Sequence, residues 1–170
     1  MKRILILGCA GCGKSTLAKK LGKMYDLEVL HLDTIYWKAG WIEEDPKVFK
    51  KLQEEFLPKP SWVIDGNYRE TLDLRLNYCD TVIYLDYRRS VAIRGIFKRY
   101  FQYKNKERDS IANGCPEKID RSFFMWVWHF NKKAKPLIME KINRCENVDV
   151  YVFKNRRSLN KFINNLNSHK

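Results

Sequence analysis

The chain lacks any long apolar run. Its 170 residues nowhere offer the roughly 18 consecutive apolar residues that a helix needs to cross a bilayer, so no membrane span is predicted. An export signal is not expected either: Lys2-Arg3 opens one, but the apolar stretch Ile4 to Leu7 ends at Gly8, short of the about 7–15 residues such a segment uses. Cysteines are few, odd in number and scattered, at positions 9, 12, 79, 115 and 145, which speaks against a disulfide framework and for a reducing, cytoplasmic setting. Repeats and low-complexity tracts are absent, which excludes a solenoid.

Acidic residues are the other scarcity. Twenty Asp and Glu stand against 33 Lys and Arg, a net charge of +13, so the partners to expect are anions: nucleotides, nucleic acid or phosphorylated small molecules. The excess is concentrated. Arg88, Arg89, Arg94, Lys98, Arg99, Lys104, Lys106 and Arg108 lie within one stretch that holds a single acid, Glu107.

What the chain does have is 45% hydrophobic residues and alternating periodicity, in a length that suits a single domain. Arg3 to Leu7 reads as a buried parallel strand and Lys14 to Tyr25 as a helix with Leu17, Leu21 and Met24 on one face. Further strands are predicted at Glu28–Leu32, Ser61–Asp65, Thr81–Leu85 and Val148–Phe153. Between them, "TIYWKAGW" reads as an aromatic link, Asp45-Pro46 caps a helix over Lys47–Leu57, and Ser90 caps a basic helix to about Tyr103. A turn-rich loop follows over Lys104–Glu117, then a helical pattern from Asp120 to about Arg144 broken near Pro136, in which "WVWHF" forms a buried face, and a closing helix over Ser158–Leu166. Strand–helix alternation predicts an α/β fold in three αβα layers, with one five-stranded parallel sheet. Ligands of such sheets sit at the carboxyl ends of the strands, where Gly8, Asp33, Asp65-Gly66 and Asp86 fall.

One nonapeptide decides the chemistry. "GCAGCGKST", Gly8 to Thr16, contains both a C-x-x-C, which suits redox or metal work, and a G-x-x-x-x-G-K-S, which suits phosphate. Phosphate binding needs glycines that turn backbone N–H groups inward, a lysine for the outer phosphates and a hydroxyl for the metal. Gly8, Gly11, Gly13, Lys14 and Ser15 meet that requirement after a predicted strand and before a predicted helix, whereas no redox need explains Gly-Lys-Ser-Thr. Cys9 and Cys12 are then small residues of a phosphate-lining loop.

With these residues in view, "GCAGCGKSTLAKKL", "HLDTIYW", "WVIDGNY", "DTVIYLD" and "RDSIANGCPEKID" together resemble the DNA topology modulation protein family, a branch of the adenylate kinase-like P-loop nucleotide kinases, from Lys2 to about Leu166. The resemblance implies a single P-loop kinase-like domain over 1–170, with the P-loop strand central, an acceptor-binding insertion at about 34–60 and a short lid at about 100–120. It implies an ATP-dependent, Mg²⁺-requiring phosphotransferase acting on a nucleotide or another small molecule. Lys14 would bridge the β and γ phosphates, Ser15 would ligate the metal and Thr16 would donate to the α phosphate. Asp65, followed by Gly66, is the candidate metal-side acid through water, with Asp86 as the rival.

Asp33 would orient the acceptor hydroxyl and take its proton, or else simply close a turn. Arg69 and Arg75 would grip an acceptor phosphate, against a plain salt bridge to Glu70 or Asp73. Trp41, with Tyr36 and Trp37, would stack on a ring or pack a core. Arg94 and Arg99 would stabilise charge in the transfer, with Arg108 and Arg121 behind them. His31 reads as structural. The lid has no four-cysteine zinc set, so Cys115 implies no structural metal. Two other readings stay open: an ATP-binding regulator that binds DNA through the basic stretch, and a P-loop protein that binds or hydrolyses nucleotide without an acceptor.

Overall fold

The computed structural model describes residues 1–104, 106 and 108–168; Asn105 and Glu107, both within the expected lid and basic stretch, and the last two residues, 169 and 170, lie outside the described residues. In chain order the elements are β1 (Arg3–Gly8), α1 (Lys14–Tyr25), β2 (Glu28–His31), α2 (Leu32–Tyr36), β3 (Trp37–Lys38), β4 (Ile42–Glu43), α3 (Pro46–Phe56), β5 (Trp62–Asp65), a 3₁₀ turn (Arg69–Thr71) running into α4 (Leu72–Leu76), β6 (Thr81–Leu85), α5 (Arg89–Tyr103), α6 (Arg121–Lys133), α7 (Lys135–Asn143), β7 (Asp149–Phe153) and α8 (Arg156–Ser168).

Five strands form one parallel sheet in the order β2-β5-β1-β6-β7. β1 is central because its side chains are apolar on both faces: Ile4, Leu5, Ile6 and Leu7 have no exposed surface, which a strand achieves only with helices above and below. The chain leaves β1 toward one edge, to β2, and leaves β5 toward the other half of the sheet, to β6. The crevice created by that reversal opens at the carboxyl end of β1. The expected α/β fold with a five-stranded parallel sheet is therefore the one observed.

Local signals account for most boundaries. Asp45 caps α3 as expected, its Oδ1 accepting from the Lys47 and Val48 amides at 2.8 and 3.2 Å with Pro46 in the first turn. The Pro136 break is a true boundary, separating α6 from α7 at Ala134. Ser90 does not cap α5, which starts one residue earlier with Arg88 at the cap and no side-chain bond there. The aromatic link resolves into α2 and the antiparallel β3/β4 pair. Of the "WVWHF" face only Val127 and Phe130 are buried, because i, i+3 spacing turns one stripe inward; Trp126 and Trp128 remain 44% and 41% exposed.

No helix among the described residues is long and apolar enough to cross a membrane.

Candidate functional site

The loop after β1 is shaped by three glycines with positive φ: Gly8 at 140°, Gly11 at 77° and Gly13 at 97°. Side chains at the first two would collide with backbone. A Cβ at Gly8 would lie 2.7 Å from the Leu85 carbonyl oxygen, and one at Gly11 would lie 2.3 Å from that of Ala92. The loop thus presses against β6 on one side and α5 on the other. At Gly13 a Cβ would meet nothing within 4 Å, so that side of the loop is open. There the first turn of α1 presents its unpaired amides, the partial positive end of the helix. Lys14 folds back across the loop, its Nζ donating to the Cys9 carbonyl at 3.2 Å. Thr16 is exposed on the first turn of α1.

The two cysteines of the loop are free and 3% exposed each. Burial, with Cys12 adding to it, pushes the Cys9 thiol up to about 12 despite Lys14 nearby, and burial likewise raises Cys12. Both are neutral thiols near pH 7, poor nucleophiles and poor metal ligands. Among the described residues no three His, Cys, Asp or Glu side chains gather as a metal set. The geometry favours the phosphate reading of "GCAGCGKST" over the thiol one.

Beneath the open side of the loop, Ser15 Oγ donates to Asp65 Oδ2 at 2.8 Å. The other oxygen, Oδ1, contacts His31 Nδ1. Parallel pairing of β2 with β5 sets His31 directly beside Asp65, so a histidine expected to be merely structural is a neighbour of the carboxylate. Asp86, the rival acid, is instead paired with Lys135, whose Nζ lies 2.7 Å from Oδ1 and 2.8 Å from Oδ2. The structure brings Asp65, not Asp86, to Ser15. Oxygen donors from one hydroxyl and one carboxylate suit a hard cation such as Mg²⁺, which keeps most of its water.

After β5 the chain makes a tight turn over residues 66–68. Gly66 has φ of 135° and Tyr68, unusually for a residue with a side chain, 24°. The Asn67 side chain clasps the start of the glycine-rich loop: Oδ1 accepts from the Gly8 amide at 3.1 Å and Nδ2 donates to the Gly8 carbonyl at 2.9 Å. Tyr68 donates its hydroxyl to Asp33 Oδ1 at 2.6 Å. Asp33 itself lies on α2, just past the end of β2.

Arg75, expected to grip an acceptor phosphate, is instead wholly buried. Its Nη1 donates to the Gly66 carbonyl and its Nη2 to those of Asn67 and Tyr68, each at 2.7 Å, while Nε reaches Thr71 at 3.3 Å. Four of its five N–H donors are turned to backbone, and its complete burial closes the guanidinium off from a ligand. Arg69 is exposed, and its carbonyl accepts from Lys141 Nζ at 3.0 Å. Asp73 pairs with that same lysine at 2.5 Å rather than with Arg69 or Arg75.

On the far side of the crevice, α5 carries Arg94 and Arg99. Arg94 is exposed. Arg99 donates through Nε to Glu117 Oε1 at 2.7 Å, with Nη2 also 2.7 Å away, and Arg108 Nε lies 2.9 Å from Oε2 of the same carboxylate. The Glu117 side chain is 1% exposed, so one buried acid holds two arginines. Burial foremost, then repulsion from Arg108, lowers the Arg99 pKa against the pull of Glu117.

This connection between α5 and α6 also meets the β3/β4 hairpin. The Gly40 amide donates to the Gly114 carbonyl at 2.8 Å, Trp41 Nε1 to the Pro116 carbonyl at 3.0 Å, and Lys118 Nζ sits 5.2 Å from the Trp41 ring centroid. Trp41, whose φ is 65°, is committed to that contact. Tyr36 and Trp37 pack edge to face at 4.9 Å, and Tyr36 lies 4.5 Å from the Tyr68 ring. Arg121 stands apart in the first turn of α6, among Phe97, Tyr100, Phe101 and Phe124.

Of the residues the sequence singles out, the structure brings together the loop, Ser15 and Asp65, with Asp33 reached through Tyr68; Asn67, Tyr68, His31 and Glu117, to which sequence reasoning gave no such part, join them. The "DGNY" string held Asn67 and Tyr68 in plain view, but the use of each depends on strand order.

No protein-family model matches the chain. It is 28% identical to a Bacillus subtilis (strain 168) protein designated uncharacterized protein YqaC over 128 residues, 74% of this chain and 71% of that protein. Among solved structures it is similar to shikimate kinase from Acinetobacter baumannii in complex with shikimate, with a TM-score of 0.62 and 18% identity over 100% of this chain and 95% of that one. It is also similar to deoxyadenosine kinase from M. mycoides with bound dATP, with a TM-score of 0.52 and 18% identity over 98% and 100%. The shared property is the fold: this chain has the parallel-sheet α/β fold of the P-loop kinases.

Proposed function

We propose that the protein is an ATP-dependent, Mg²⁺-requiring phosphotransferase that phosphorylates a nucleotide or another small molecule. One observation carries the reading: a glycine-shaped loop at a helix N-terminus, open on one side, with Ser15 and Asp65 joined at 2.8 Å directly beneath it. The family resemblance in the motifs and the kinase fold agree with it.

In this reading the amides of Gly11, Cys12, Gly13, Lys14 and Ser15 receive the phosphates. Lys14 exchanges its bond to the Cys9 carbonyl for one to the outer phosphates, and Thr16 donates to the α phosphate. Ser15 and Asp65 would hold Mg²⁺, which supplies charge neutralisation on the phosphates. His31 steadies Asp65 from behind. Segment 34–60 is the acceptor-binding insertion and segment 100–120 the lid. Asp33, with Tyr68 occupying one carboxylate oxygen, keeps the other for the acceptor hydroxyl and accepts its proton. Arg69 and Trp41 border the acceptor, and Arg94 and Arg99 approach the transferring phosphoryl group from the lid side.

The test is an ATP-consumption screen across nucleoside monophosphates, nucleosides and small hydroxy compounds. Lys14→Ala is expected to reduce acceptor-dependent turnover to background with an unchanged thermal midpoint; undiminished turnover excludes the mechanism. The DNA-binding reading draws less from the geometry, because Arg99 and Arg108 of the basic stretch are turned onto Glu117 and Arg89 stacks on the Trp128 ring at 4.5 Å. Titration with labelled duplex DNA at about 150 mM salt checks it.

A further inference from the structure

The turn over residues 66–68 does more than follow a strand. It sends one side chain to the phosphate loop and the next to the acceptor-side acid: Asn67 to both backbone groups of Gly8, and Tyr68 to Asp33. An amide side chain bonded through both its ends imitates a neighbouring strand, and here it extends the sheet's pairing by one step to the last residue of β1. The β1–β5 register ends with Ile6 opposite Asp65, so without Asn67 the Gly8 amide and carbonyl would have no partner on that side.

The same turn is costly to hold. Gly66 and Tyr68 both lie at positive φ, and Tyr68 pays the steric cost of a Cβ there. Three successive carbonyls, of residues 66, 67 and 68, converge on the guanidinium of Arg75. Among the described residues that guanidinium has no carboxylate partner, and burial lowers its pKa. A fully buried cation satisfied only by main-chain oxygens is rare, because the loss of hydration must be offset by geometry alone. The planar fork of arginine reaches three converging carbonyls at once; an ammonium does not.

We propose that Asn67 and Arg75 are positioning residues of the phosphate cradle: Asn67 fixes the first glycine of the loop, and Arg75 fixes the turn that presents Asn67. This deepens the phosphotransferase reading and rests on its claim that the loop binds nucleotide. Neither residue touches a phosphate. Both act through Gly8, and the turn makes the donor cradle and the Asp33 side a single rigid unit.

The experiment measures binding of a fluorescent ATP analogue with Mg²⁺ to the full chain, together with amide hydrogen exchange at Gly8 read by NMR. Asn67→Leu removes both bonds at similar size. It is expected to weaken the analogue at least tenfold and to speed exchange at the Gly8 amide at least tenfold, while the amides of Leu5 and Ile6 stay at wild-type values and the thermal midpoint falls by only a few degrees. Asn67→Asp retains the acceptor but sets a carboxylate oxygen against the Gly8 carbonyl, and should lose affinity at least as far. Arg75→Lys should show the same two changes in weaker form. If Arg75→Lys does not fold, the Asn67 variants decide alone. Wild-type affinity in Asn67→Leu, with binding abolished in Lys14→Ala, overturns this proposal and leaves the parent reading standing. Failure of the wild-type protein to bind the analogue overturns both.

Discussion

The two walls of the crevice are built differently. On the donor wall, backbone meets backbone: Gly8 and Gly11 press on Leu85 and Ala92, and Asn67 and Arg75 bond main-chain groups. On the opposite wall, side chains carry most of the contacts: Glu117 joins Arg99 to Arg108, and the Trp41 side chain reaches the Pro116 carbonyl and Lys118. A wall made of main chain tolerates almost no change of shape. A wall made of ion pairs and aromatic edges can open and re-form, as the proposed lid over a phosphoryl transfer would have to.

The sharpest way to break this contrast is a methyl group on the donor wall. Gly11→Ala places a Cβ 2.3 Å from the Ala92 carbonyl oxygen and 2.7 Å from the Ile96 nitrogen, at a φ of 77°. Overpacking and left-handed strain together should cost about 3–4 kcal/mol, visible in a denaturant midpoint, and nucleotide binding should vanish with it. A wild-type midpoint would mean that the loop is not wedged against α5. On the opposite wall, Glu117→Gln leaves two arginines without their shared carboxylate. The loss is expected to be about 3 kcal/mol, but confined to the lid: hydrogen exchange should quicken across residues 108–117 and hardly in β1. Equal quickening in the sheet would erase the distinction between the walls.

A third effect concerns pH. The Cys9 thiol rises from an ordinary value of 9.0 to about 12 on folding, so the fold favours its protonated form. Its contribution to stability is complete below about pH 9 and declines as pH rises toward 12. The thermal midpoint of the wild-type protein should therefore fall over that interval more steeply than that of Cys9→Ala. Parallel slopes would place the thiol in water rather than in the wall.

This division also explains what was legible in the sequence. Glycines at fixed spacing, a lysine and a hydroxyl report a backbone conformation, because only certain residues can adopt it, and so the loop from Gly8 to Thr16 could be read directly. The apolar runs of β1, β5 and β6 gave the sheet for the same reason. Arg75 misled because an arginine after "DGNY" is as able to satisfy carbonyls as to hold a phosphate, and burial decides between the two. His31 and Glu117 were hidden because their partners come from strand register and from the packing of the segment between α5 and α6 onto α5. Ser90 failed as a cap because the helix began one residue earlier, at Arg89, without needing one.

Gly95 of α5 sits against the loop after β1. A Cβ there would lie 2.0 Å from the Gly11 carbonyl oxygen, so the helix that leads to the lid touches the loop through bare main chain on both partners. The contact leaves no slack, so a shift of α5 is felt at once at the third residue after Gly8. The two positions should consequently drift together in evolution, a bulkier residue at either one obliging a reshaped loop at the other.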